Sequence, residues 1–272
     1  MATPVAARQS LLEVRLLDDS GFVRLIASMG NDARIVQAAR VSTGAGSKGP
    51  EADAKLIRYL MNNRHTSPFE KVVFEFHVKA PIFITRQWMR HRTGSFNEES
   101  GRYSELKPEW YIPDPEQICY QDKRNKQGRA APVEEPIAVD FASELEDSSQ
   151  ECFELYREWL DKGIARETAR LFLPVNTYTS FYWTVNLHNL LHFLSLRRDR
   201  HAQWEIRQYA DAVYDLAKDV APVAFAAWEE RNQQEKQAAQ EYANRRAPSP
   251  QPWHFRFYLL LVKAFGGKPY DC

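Results

Sequence analysis

The segment from Arg86 to Tyr103, R-Q-W-M-R-H-R-T-G-S-F-N-E-E-S-G-R-Y, constrains this chain more than any other. It sets four arginines, a histidine and two glutamates between apolar runs. The first half reads as a helix. Pro81 suits a first helical turn, where its missing N–H costs nothing. Ile82, Phe83, Trp88 and Met89 supply an apolar side, while Gln87 and His91, like Arg86 and Arg90, share a face at i,i+4. Gly94 is the expected stop. The cations then crowd a helix C-terminus, which favours positive charge. The polar loop Ser95 to Gly101 follows, with N–H groups and hydroxyls suited to an anion. A lone R-x-R would be a solvated helix end. Placed between aromatics and this loop, arginine forks suit phosphate and planar carbonyl edges. The residues point to a phosphate- or nucleotide-binding constellation. So many cations in a closed site need compensation.

The rest of the chain does not share that charge. Lys+Arg and Asp+Glu are both 36 in 272 residues, which argues against a general nucleic-acid binder. Apolar residues make up 44 %, enough for a sizeable core in one large domain or two small ones. Cys119, Cys152 and Cys272 form no C-x-x-C pair, so a reduced, cytoplasmic setting is expected. The N-terminus lacks an apolar signal core. No run approaches the about 20 residues that span a bilayer; the apolar tail segment Trp253 to Phe265 contains His254, Arg256 and Lys263.

In chain order, Ser10 to Leu17 alternates as a first strand. Gly21 to Met29 is expected as a helix ended by Gly30, and Asp32 to Ala39 as a second. Thr43 to Pro50 is a loop whose glycines and lysine lack the Walker spacing. Ala52 to Asn63 is helical, and His65 to Pro68 is a turn. Lys71 to Lys79 alternates, with Phe74, Phe76 and Val78 on one face, and is a half-buried strand. Lys107 to Pro115 reads as loop and short strand, Gln121 to Pro136 as an exposed insertion. Asp140 to Lys162 is an amphipathic helix with Leu145, Cys152, Tyr156 and Trp159 in one stripe. Ile164 to Leu173 is a further helix, stopped by Pro174, with Glu167 and Arg170 as a possible ion pair at i,i+3. Val175 to Asn186 has strand composition, and Asn186 caps a helix to Arg198. Ala202 to Ala217 is periodic through Ile206, Tyr209, Val213 and Leu216. A polar helix runs from Trp228 to about Arg246, then a proline-rich linker and an appendage.

Two other chemistries compete. His188 and His192 have the spacing of a zincin helix, but Asn189 stands where the general base belongs and no third ligand is evident. A zinc hydrolase is the alternative enzyme. An RNA-binding module using the arginines and the twelve tyrosines is the non-enzymatic one, disfavoured by zero net charge.

The arginine segment also resembles the flavin-dependent thymidylate synthases, whose signature is R-H-R, seven residues, then Ser. Arg90-His91-Arg92 followed by Ser100 matches, and Asn97, Arg102 and Tyr103 fit its surroundings. The resemblance continues in Ala39 to Ser42, His65 to Glu70, Arg166 to Arg170 and His201 to Glu205, covering roughly 10 to 228 and weakening between about 121 and 140. It implies an α/β subunit, a mixed sheet flanked by helices, as one catalytic domain over 1–228. Residues 229–272 are then a C-terminal helical extension.

The same resemblance implies a homotetramer with shared sites that converts dUMP to dTMP. Reduced FAD gives hydride, NADPH is the reductant, and methylenetetrahydrofolate gives the carbon. FAD is then held by residues matching Ser67, Arg90, His91, Arg92 and Glu98, and by Asn186, Leu187, His188 and His192. The nucleotide dUMP is held by those matching Gln87, Trp88, Met89, Arg90, Glu98 and Glu99, by Ser100, Gly101 and Arg102, and by Arg170 and Arg197. Arg197 is the residue taken to activate the pyrimidine. No metal is implied. Ser67 replaces the familiar Thr, and His188 and His192 replace Arg and Asn of some members. None of the three cysteines lies in the arginine cluster, so methylation without a cysteine adduct is expected.

Overall fold

The computed structural model describes residues 13–44 and 46–246. The elements are β1 (Glu13–Leu16), β2 (Gly21–Met29), α1 (Asp32–Ala39), α2 (Pro50–Asn62), β3 (Val73–Pro81), α3 (Ile82–Trp88) and β4 (Ser95–Glu98). There follow β5 (Cys119–Gln121), β6 (Arg129–Pro132), α4 (Glu135–Asp161), α5 (Arg166–Ala169), β7 (Tyr178–Asn186), α6 (Leu187–Arg197), α7 (Trp204–Ala217) and α8 (Pro222–Arg246). The α/β class holds. The main sheet has the order β1-β2-β3-β7-β4, and each of its pairings is antiparallel. It is therefore antiparallel, not mixed.

Strict alternation builds the centre of this sheet. Phe74, Phe76 and Val78 of β3 face Val185, Trp183 and Phe181 of β7 in register, all buried. Their period of two puts every one on the same face. Leu187, Leu190, Phe193 and Leu194 of α6 and Ile206, Tyr209, Ala210 and Val213 of α7 bury against them. The other face is half-open, as antiparallel sheets allow; there His77 stacks on Tyr182 at 4.5 Å.

Several elements differ from the sequence reading. Gly21–Met29 is a strand, not a helix. Its apolar run suits either, but hydrogen-bonding partners on both sides, β1 and β3, decide for extended backbone. Helix α3 ends at Trp88, well before Gly94. Only Arg166–Ala169 of the expected 164–173 helix is α-helical; a 3₁₀ turn continues to Phe172. On α4 the buried stripe is Ala138, Ser149, Phe153 and Tyr156, while Trp159 is exposed. The 121–136 insertion supplies the turn and second strand of a two-stranded sheet, the hairpin β5–β6, whose first strand starts at Cys119. Helix α8 begins at Pro222, where Asp32 caps the Val223 and Ala224 N–H groups at 2.9 Å each.

The chain divides into two compact units, up to Trp228 and from Glu229, with the boundary inside α8. All candidate site residues belong to the first. The linker and appendage, like residues 10–12 of the first expected strand, fall outside the described residues.

Candidate active site

The arginine segment is nailed to the core by one aromatic. Trp88 is fully buried, with its ring 5.4 Å from Phe181, 5.3 Å from Trp183 and 4.8 Å from Phe193. That anchoring leaves Gln87 half-buried and Arg86 and Arg90 exposed. The side chain of Trp88, an expected nucleotide contact, is thus committed to packing. Half-buried Met89 is the C-cap. Gly94 is required by close approach rather than as a helix stop: a Cβ there would lie 2.3 Å from Trp183 Nε1. The chain then joins the sheet edge as β4, with Glu98 opposite Phe181.

Past β4 the chain makes a tight turn. The Glu99 N–H bonds Ser180 O at 2.8 Å, and Ser100 O accepts the Tyr103 N–H at 3.0 Å. Gly101 is buried inside the turn; a Cβ there would meet Leu106 Cδ1 at 3.2 Å and Arg170 Cδ at 3.4 Å. Arg170 therefore stands against Ser100–Gly101, a contact across the chain. Arg102 Nε donates to Glu167 Oε2 at 3.2 Å. Glu167 accordingly serves Arg102, where the sequence suggested Arg170.

Arg197, at the end of α6, closes the other side. Its Nε donates to His91 Nε2 at 3.0 Å and its Nη2 to the Gln87 carbonyl at 3.1 Å. One edge of the planar fork is thus fixed by protein, leaving the Nη1–Nη2 end for a bidentate acceptor. Burial lowers its pKa from the usual guanidinium value. Arg198 differs sharply: it bonds Asp211 Oδ1 at 2.7 Å and lies 3.9 Å over the Tyr214 ring.

His91 is a neutral acceptor here. Burial, then the charges of Arg197 and His192, push its pKa down to about 4. Its proton therefore sits on Nδ1, and Nε2 orients Arg197. The Glu98 carboxyl accepts from Thr179 Oγ1 at 3.0 Å; burial, with the nearby Glu99 charge, pushes its pKa up against the lowering effect of that bond.

Helix α6 contributes its N-terminus. Asn186 Oδ1 accepts the Asn189 N–H at 3.0 Å, and Val72 O takes the Leu187 N–H at 2.8 Å. The His188 N–H has no such partner among the described residues. The Leu187 side chain is buried in the core. His188 is half-buried, while His192 is exposed with its ring 5.9 Å from that of His91. Ser67 is exposed in the turn before the 3₁₀ segment that packs beside α6. Among the described residues no three His, Cys, Asp or Glu side chains group as a metal site, so the zincin pair lacks its third ligand. Arg86, Arg90 and Arg92 are exposed and have no anionic partner among the described residues.

Sequence reasoning missed Gln203, whose Oε1 accepts from Gln87 Nε2. Its place inside the His201–Glu205 run was the available signal.

A half-open antiparallel α/β fold with exposed arginines, a tight polar turn and a fixed guanidinium is suited to an anionic ligand such as a nucleotide. Residues 24–223 match the family model described as thymidylate synthase complementing protein. The flavin-dependent thymidylate synthase of Treponema denticola is 54 % identical over 215 residues, covering 78 % of this chain and 80 % of that one. One from Thermus thermophilus is 57 % identical over 212 residues, covering 78 % and 77 %. Among solved structures, a UMP/dUMP methylase PolB from Streptomyces cacaoi bound with 5-Br dUMP is similar with a TM-score of 0.71 and 38 % identity, over 78 % of this chain and 95 % of that one. The chain belongs to the flavin-dependent thymidylate synthase family.

Proposed function

We propose that this chain makes dTMP from dUMP by reductive methylation, with methylenetetrahydrofolate as carbon donor, FAD as cofactor and NADPH as reductant. The observation that carries the reading is Arg197, fixed along one edge by His91 and Gln87 with its outer edge unpaired among the described residues. Making uracil C5 nucleophilic pushes negative charge onto the N3–C4–O4 side of the ring. A guanidinium already oriented there stabilises that charge more in the transition state than in the ground state.

The nucleotide phosphate meets Arg90, Arg102 and Arg170 beside the Ser100–Gly101 turn, and Gln87, Met89, Glu98 and Glu99 line the rest. Trp88 contributes through its backbone. The donor set also fits FAD, since Arg90 and Arg92 are exposed cations without anionic partners among the described residues and the N-terminus of α6 offers the His188 N–H. His91, Glu98, Asn186, Leu187, His192 and Ser67 complete that site. When bound and reduced, FAD supplies hydride.

One chain leaves this site uncovered. Tyr103 is 82 % and Leu171 79 % exposed, both beside the Ser100–Arg102 turn or Arg170. Apolar exposure there supports a homotetramer in which neighbouring chains complete each site. Among the described residues no helix is long and apolar enough to cross a membrane, and a cytoplasmic setting is proposed. The 1–228 catalytic domain carries the activity, with 229–272 as an extension.

The test combines two readouts on the purified protein. Flavin absorption that bleaches with NADPH, together with tritium release from 5-tritiated dUMP, is expected. A protein that takes up no FAD and releases no tritium overturns the reading.

A further inference from the structure

A second cleft, of about 790 Å³, lies between the β5–β6 hairpin, the start of α4 and the N-terminus of α7. Its apolar lining includes Ile118, Val133, Phe141 and Trp204. The arginines in its lining are Arg129, Arg200 and Arg207. The hairpin loop is held by its own side chains: Asp122 Oδ1 accepts the Arg124 and Asn125 N–H groups at 2.7 and 3.0 Å, and Gln121 Nε2 donates to Gly128 O at 2.9 Å. Between lining residues of that loop, Lys123, Arg124 and Lys126 are exposed outside the lining itself, with no anionic partner among the described residues.

The carboxylates of the cleft are engaged. Glu205 pairs with Arg129 at 2.8 Å, and Asp122 is spent on the loop N–H groups. Arg200 lines the cleft without an anionic partner among the described residues, and the buried Arg207 Nε has no hydrogen-bond partner among them. Helix α7, which starts here, has no side-chain cap. Gln203 lines the cleft and also holds Gln87, so the cleft adjoins the proposed dUMP site.

We propose that this cleft binds the polyanionic end of an aryl co-substrate, its ring on the apolar floor and two or more negative charges toward Arg200, Arg207 and the flanking hairpin cations. The inference rests on the proposed reaction, whose co-substrates offer that chemistry twice: the p-aminobenzoyl-oligoglutamate end of the folate and the 2′-phosphoadenosine end of NADPH. The first has charges strung along a flexible chain, the second on two compact phosphates.

Calorimetric titration of the flavin-loaded protein distinguishes them, with p-aminobenzoyl-oligoglutamate and adenosine 2′,5′-bisphosphate as probes. One probe is expected to bind, weakening as salt rises. In the triple variant Lys123→Gln, Arg124→Gln, Lys126→Gln its affinity falls about tenfold, since exposed ion pairs are individually weak. Arg200→Gln, outside the hairpin, weakens the same probe to a smaller extent. In turnover the KM of the matching co-substrate rises while kcat and the KM for dUMP stay put. Binding by neither probe, or equal affinity in wild type and triple variant, overturns the proposal. Because the titration needs no turnover, a failure of dUMP methylation would count against the proposed reaction and leave this readout intact.

Discussion

Two short cation-rich stretches, 86–102 and 123–129, are built in opposite ways. The first is held from outside itself. Trp88 is buried among rings of β7 and α6, Gly94 lies on Trp183, and the Arg197 edge comes from a helix far along the chain. The second holds its own shape, through Asp122, Asn125 and Gln121 bonding the loop backbone within seven residues. A tertiary-held site can fix a fork to within hydrogen-bond geometry, as catalysis demands. A self-held loop only needs to present charge. Damage to the core should therefore reach the first stretch and spare the second.

The largest effect tests that directly. Trp88→Ala removes a fully buried indole and should cost about 3–5 kcal/mol, read as a lower denaturation midpoint. Nucleotide binding should fall with it. A variant of unchanged stability would mean that the arginine segment does not depend on its anchor. Next is Arg197→Lys, which keeps the charge but not the planar fork. Turnover should drop roughly a hundred- to thousandfold with flavin retained. Arg198→Lys should be mild, because Arg198 is already spent on Asp211 and Tyr214. Tritium release from 5-tritiated dUMP reads both; equal losses would show that the free edge of Arg197 is not special.

The third effect is on pH. His91 is held near 4 when folded against 6.5 as the reference. Below pH 6.5 the unfolded ring takes up a proton that the native ring refuses. Stability is therefore full above about 6.5 and declines as pH falls toward 4, by up to about 3 kcal/mol. Protonation would also turn the acceptor of Arg197 into a like charge. His91→Gln should flatten this part of the stability–pH curve in flavin-free protein; an unchanged slope would assign the acid limb elsewhere. A smaller effect comes from the self-held loop. Asp122→Ala loses two backbone bonds in the loop and should lower the denaturation midpoint only slightly, leaving turnover of dUMP at saturating co-substrates unchanged. A loss comparable to that of Trp88→Ala would erase the contrast between the two stretches.

What the sequence made legible follows the same division. Periodicity within one element was readable: β3 through Phe74, Phe76 and Val78, α7 through Ile206, Tyr209 and Val213, and the Asn186 cap. Gly21–Met29 was not, since Val23, Leu25 and Ile26 satisfy both a helix and a strand, and only the flanking strands settle it. The identities in the arginine segment were readable from the spacing of Arg90-His91-Arg92 and Ser100. Its contacts were not, because Arg197 to His91 spans 106 positions and Glu167 to Arg102 spans 65. The hairpin escaped notice because polar turn residues without an apolar stripe look like any loop.

The smallest expected effect concerns the thiols. A thiolate that attacked the pyrimidine ring would need a partly exposed place beside the cations. Cys119 is instead on β5, lining the hairpin cleft, and Cys152 is half-buried on α4. Neither belongs to the constellation of Arg197, His91 and Gln87, and Cys272 falls outside the described residues. Replacing all three with Ser or Ala should leave dUMP methylation within about twofold of wild type, apart from a packing loss of about 1 kcal/mol at Cys152. Since Cys119 shares its cleft with Arg129 and Gln203, the triple variant also probes whether the second stretch feeds back on the first. A folded variant that still binds FAD but releases no tritium would require a thiol in the chemistry. It would then displace the fixed guanidinium from the centre of the proposed mechanism.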